Sequence, residues 1–180
     1  MELRKEIFQA IEQGEIEKVR ALLESHPEDV DARDDSEEGD SPLHIAAMNG
    51  HAAIVDLLLD KWAEADVRAN FGRTPLHWAA WNGHADVVKT LLDHGANPNA
   101  RVSGKVTFPT TGSAQPKAEV GFTPLHYAAY EGRTEICEIL IQYGANVNAR
   151  AENGWTPLSR AKFKSNEEVI ELLQKNGAVE

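Results

Sequence analysis

One phrase recurs four times: SPLHIAAMNGH from Ser41, TPLHWAAWNGH from Thr74, TPLHYAAYEGR from Thr123 and TPLSRAKFKSN from Thr156. The steps from 41 to 74 and from 123 to 156 are 33 residues each, and the step from 74 to 123 is 49, an excess of 16. A fixed period of this length constrains the fold strongly. A 33-residue unit cannot bury its own apolar face, so it must stack on copies of itself.

Each unit has a physical reading. Thr or Ser before Pro supplies an N-cap and then the first helical position, where a missing N–H costs nothing. That helix is short and stops at Asn-Gly or Glu-Gly. A second helix follows, as in ADVVKTLLDHG, where Val87, Val88, Leu91 and Leu92 form an apolar stripe at helical spacing. Gly95 and Gly144 stand where a left-handed residue ends such a helix. ANPNAR or ANVNAR then turns toward the next unit.

The combination of TPLHxAA, a Gly-His turn, LLxxGAN and VNA in a 33-residue frame resembles the ankyrin repeat, over nearly the whole chain. The resemblance implies an all-α solenoid of about five helix-turn-helix units joined by β-hairpin turns. The divisions are an N-terminal capping unit at 1–35, repeats at 36–68, 69–101 and 118–150, a C-terminal capping unit at 151–180, and an inserted loop at 102–117. Joining Arg101 to Ala118 makes the turn match Asn148 to Gly154 at six of seven positions, which sets the insertion at Val102 to Lys117. Lys105 to Phe108 could extend a hairpin arm there. Trp62 occupies the Gly95 position; a bulky left-handed residue costs roughly 1–2 kcal/mol, so a different helix end is expected there.

Within the first helix, positions two before and one after the Ala-Ala centre share a side. These are Ile45 and Met48, Trp78 and Trp81, Tyr127 and Tyr130, Arg160 and Phe163. In ankyrin proteins that side and the hairpin tips resemble a palm and fingers that grip partners. The tip positions are Glu38 and Asp40, Phe71 and Arg73, Val120 and Phe122, Asn153 and Trp155. The partner-binding set expected on this basis is Glu38, Asp40, Phe71, Arg73, Trp78, Trp81, Phe122, Tyr127, Tyr130, Trp155, Phe163 and Lys164. Aromatics are enriched among interface anchors, and eight of the twelve in the chain fall in this set. Trp78 and Tyr127, nearer the core, could equally pack between units; Trp81 and Tyr130 are the expected anchors.

Charge is uneven along the array. Residues 1–100 hold 9 bases and 20 acids, whereas residues 101–180 hold 9 of each. Glu28 to Asp40 alone carries eight acids against Arg33. The palm therefore runs from Glu37, Glu38 and Asp40 through aromatics to Arg160, Lys162 and Lys164, or else the acidic end serves only solubility. A net charge of −11 argues against nucleic acid and anionic membranes as partners.

Catalytic and metal chemistry are not expected. His44, His77 and His126 each belong to a different unit, and helix-packing distances near 10 Å keep them from converging on one zinc. In the family this imidazole typically fixes its own turn and a neighbouring hairpin. Cys137 reads as a small packing residue. A single cysteine, no apolar run of membrane-spanning length and no leader-like N-terminus point to the cytoplasm. A monomer without cofactors is expected. The expected function is binding another protein or peptide on the aromatic palm. Two alternatives stand beside it: the insertion as the main specificity element, and, more distantly, a small-molecule site or enzyme in the aromatic cleft.

Overall fold

The computed structural model describes residues 2–36, 39–103 and 119–179. Its helices come in consecutive pairs: α1 (Glu2–Glu12) with α2 (Ile16–Ser25), α3 (Pro42–Asn49) with α4 (Ala52–Asp60), and α5 (Pro75–Asn82) with α6 (Ala85–Asp93). After the insertion come α7 (Pro124–Tyr130) with α8 (Thr134–Gln142), then α9 (Pro157–Lys164) with α10 (Glu167–Lys175). A 3₁₀ turn, Pro27–Asp31, follows the first pair. The odd-numbered helices contact one another in order, as do the even-numbered ones, so the chain forms a two-layered stack. No strand occurs among the described residues.

The repeated phrase builds its own helix start. In α5, the Thr74 N–H donates to His77 Nδ1 at 3.0 Å and the Thr74 hydroxyl lies 2.9 Å from the same nitrogen. A bare Nδ1 puts the proton on Nε2, which donates to the Phe122 carbonyl in the next unit at 3.2 Å. His44 reaches the Arg73 carbonyl and His126 the Trp155 carbonyl in the same way, each at 3.1 Å. One side chain thus caps its helix and ties down the following turn. In α9, Ser159 keeps the capping role, accepting from the Thr156 N–H at 2.8 Å. Arginines add a second tie between turns: Arg33 donates to the Arg68 carbonyl, Arg68 to that of Arg101 and Arg101 to that of Arg150.

Between the layers lies an apolar core with Leu43, Ile54, Leu58, Leu76, Val87, Leu91, Leu125 and Leu140 among its buried side chains. The alanine pairs Ala46–Ala47, Ala79–Ala80 and Ala128–Ala129 are fully buried, which lets neighbouring helices approach closely.

The inserted stretch enters two residues later than the sequence match suggests. Val102 donates to the Phe122 carbonyl at 2.9 Å, as Ala69 does to Arg73 and Ala151 to Trp155. Ser103 donates to the Phe71 carbonyl, as Glu152 does to Val120. Val102 and Ser103 therefore hold regular turn places, and Val120, before Gly121, holds the place that Phe71 holds before Gly72. The proposed Lys105 to Phe108 arm lies outside the described residues.

Trp62 does not end its helix differently. It takes φ 72°, beside 84° at Gly95 and 86° at Gly144. Its N–H bonds to the Leu59 carbonyl at 3.0 Å, as the Gly95 N–H bonds to Leu92. The indole is 91% exposed and so gains little packing in return for the strain. Trp62→Gly is expected to stabilise the protein by up to about 1 kcal/mol, read from urea denaturation. A loss of stability instead would mean that the indole makes a contact worth more than its backbone strain.

Candidate functional site

The aromatic side chains of α5, α7 and α9 line up because one helical position recurs in register from unit to unit. Trp78 and Trp81 on α5 stack with ring centres 6.0 Å apart. Trp81 stacks in turn on Tyr127 of α7, at 5.1 Å and 19° between planes. Further along, Tyr130 and Phe163 lie near parallel at 6.2 Å, and Trp155 meets Phe163 edge-on at 5.6 Å. A run of rings thus crosses three repeats.

Beneath its centre sits a charged group. Arg73 is fully buried, and its Nη2 lies 3.2 Å from Glu119 Oε2. The Tyr127 hydroxyl donates to that same oxygen. The guanidinium carbon stands 4.9 Å from the ring centre of Trp78 and 6.0 Å from that of Trp81, within reach of their π faces. Burial, with the Glu119 charge beside it, pushes the Tyr127 phenol far above its ordinary range, so it remains a hydrogen-bond donor. Asp40, also buried, accepts from the Trp78 indole N–H at 3.3 Å. This network holds Trp78, Trp81 and Tyr127 from below.

The expected partner-binding residues therefore divide by depth. Trp78, Trp81, Tyr130, Trp155 and Phe71 are partly exposed, Lys164 is exposed, and Phe163 is 63% exposed. Asp40, Arg73, Phe122 and Tyr127 are buried and present almost no surface. The reason is the turn itself: in extended backbone Phe71 and Arg73, two apart, would share a face, but the chain reverses at Gly72, which takes φ 78° and donates to the Ala69 carbonyl, and the two side chains differ in depth. Glu38 lies outside the described residues. Sequence reasoning missed Glu119, which pairs with a residue 46 positions away.

A family model described as ankyrin repeats, three copies, matches residues 7–102 and 110–179. The chain belongs to the ankyrin repeat family. Its repeats are those of a family whose members generally serve as protein–protein interaction modules, and the stacked helix pairs are the architecture that such repeats build. The unmatched residues 103–109 fall at the inserted stretch.

Cys137 is buried, and desolvation pushes its thiol up to about 12, so it stays protonated. No group of three His, Cys, Asp or Glu side chains able to hold a metal ion occurs among the described residues. No helix among them is long and apolar enough to cross a membrane.

Proposed function

We propose that this ankyrin protein grips a partner protein or peptide on the aromatic face of α5, α7 and α9, with Trp81 and Tyr130 as central anchors. The observation that carries the reading is the run of half-exposed rings braced from beneath by Arg73, Glu119 and Tyr127. Anchors held rigid before binding lose little side-chain freedom on contact, and that is where affinity concentrates. Asp40, Arg73, Phe122 and Tyr127 act on this face as its support rather than as its contact surface.

The test is a double substitution, Trp81→Ala with Tyr130→Ala. Affinity for a captured protein partner is expected to fall by at least about 2 kcal/mol, or roughly 30-fold, with folding retained. Titration calorimetry gives the first quantity and thermal melting the second. Unchanged affinity in a folded double variant removes this face from the function.

A second reading gives specificity to the inserted stretch. What favours it is the anchoring of both ends: Val102 and Ser103 in the regular turn, and Glu119 on Arg73 beneath the aromatic rings. Full retention of partner affinity after removal of residues 104–118 would dismiss it.

A further inference from the structure

Two arginines lie against aromatic rings, and they differ in one respect. The Arg73 guanidinium is closed by the Glu119 carboxylate at 3.2 Å. The Arg160 guanidinium carbon lies 3.8 Å from the ring centre of Tyr130, 4.9 Å from that of Phe122 and 5.6 Å from that of Trp155. It has no ion pair and no side-chain hydrogen bond among the described residues, and its Nε is shut off from water without a partner. Aromatic faces attract a cation but do not satisfy its N–H groups, so a fork of donors of fixed geometry is left open.

The charge on its own helix is of one sign. Helix α9 carries Arg160, Lys162 and Lys164 and no acid, and the Lys164 ammonium lies 4.6 Å from the Tyr130 ring centre. The carboxylates whose fields reach Arg160 are Glu119 and Glu131. Glu119 is engaged by Arg73 and Tyr127. Neither makes an ion pair with Arg160. A carboxylate matches a guanidinium fork with two parallel hydrogen bonds, and the surrounding rings exclude water that would weaken them. A polyanion such as nucleic acid meets a chain of net charge −11, so a short acidic segment of protein fits better.

We infer that the α9 end of the aromatic face docks a partner segment that presents an aspartate or glutamate carboxylate to Arg160, with Lys164 alongside and Phe163 as its apolar neighbour. The inference rests on the reading that the aromatic face binds protein.

A random-peptide phage library selected on the full-length chain tests it. Selected peptides are synthesised and titrated by fluorescence anisotropy against the wild type, Arg160→Met, Lys164→Ala and Trp81→Ala. Methionine keeps an apolar stem over the rings, and Lys164 is exposed, so its variant serves even where the first is poorly folded. Expected are peptides with a recurrent Asp or Glu, binding about tenfold or more weaker to Arg160→Met and about threefold weaker to Lys164→Ala. Changing the recurrent acid to its amide should produce the same loss. Peptides that weaken on Trp81→Ala but show no acidic preference, or bind both cation variants as the wild type, overturn the inference and leave the face standing. If no selected peptide responds to any of the three variants, the face itself is not the binding site and the inference falls with it.

Discussion

Replacing Glu119 with alanine is expected to destabilise the protein by about 3–5 kcal/mol, the usual cost of stripping one partner from a buried ion pair. The Arg73 guanidinium would remain fully buried opposite a vacancy, and the Tyr127 hydroxyl would lose the oxygen it donates to. The effect should also be local. Glu119 ties the third unit to the fourth, and in a linear array each unit is stabilised only by its neighbours. Weakening that junction should separate the unfolding of α1 to α6 from that of α7 to α10, turning one urea transition into two. Hydrogen exchange would place the first loss of protection in α5 and α7. The double variant Glu119→Ala with Arg73→Met removes the buried charge whose carboxylate is gone and should be more stable than Glu119→Ala alone. A single variant within about 1 kcal/mol of the wild type would mean that the pair contributes little across this junction.

The same pair marks where sequence reasoning reaches its limit. The helix pairs were legible because Thr-Pro at a helix start, His three residues on and glycine at the end each impose a local conformation, and they recur in register. The family followed from those motifs, and so did the ring column, since i and i+3 share a helix face. The place of the insertion was not legible. Arg101 joined to Ala118-Glu119 resembles Arg150-Ala151-Glu152 closely enough to attract the match, while hydrogen bonding selects Val102 and Ser103. Composition cannot distinguish Ala151 from Val102, because both are small enough to bury at that place. With the register displaced, Glu119 read as a turn residue, while its partner Arg73 read as a surface contact because it flanks the tip glycine. Depth at the tip was lost for a related reason: spacing identifies the two residues beside a glycine but not which of them turns inward. At Trp62 the strain argument was sound as a cost, yet the helix end is set by the hydrogen bonds of its last turn, and these outweigh one left-handed residue.

Acid should unfold this protein through its own capping motif, and the sign follows from the neutral histidines. Burial lowers His44 to about 4, His77 to about 3 and His126 to about 4, from an ordinary value of 6.5. In each, Nδ1 accepts from a backbone N–H and Nε2 donates to a carbonyl, so a second proton would break the first bond and leave a cation in the core. The unfolded chain takes up protons below pH 6.5 and the folded chain does not. The stability these groups contribute is therefore fully present above pH 6.5 and is lost as the pH falls toward 4. Each costs about 1.4 kcal/mol per pH unit across that window, so the three together should remove about 6 kcal/mol between pH 7 and pH 5. Urea denaturation at half-unit steps checks the slope. His77→Gln separates this cause from the titration of carboxylates: it should be less stable than the wild type at pH 7, yet lose about 1.4 kcal/mol less between pH 6 and pH 5. An unchanged slope in that variant would assign the acid sensitivity to other groups. Because His77 also holds the Phe122 carbonyl, its protonation should loosen the junction that Arg73 and Glu119 close. Combining Glu119→Ala with pH 5 should then cost less than the sum of the two separate effects, since both act on the same contact between the third and fourth units.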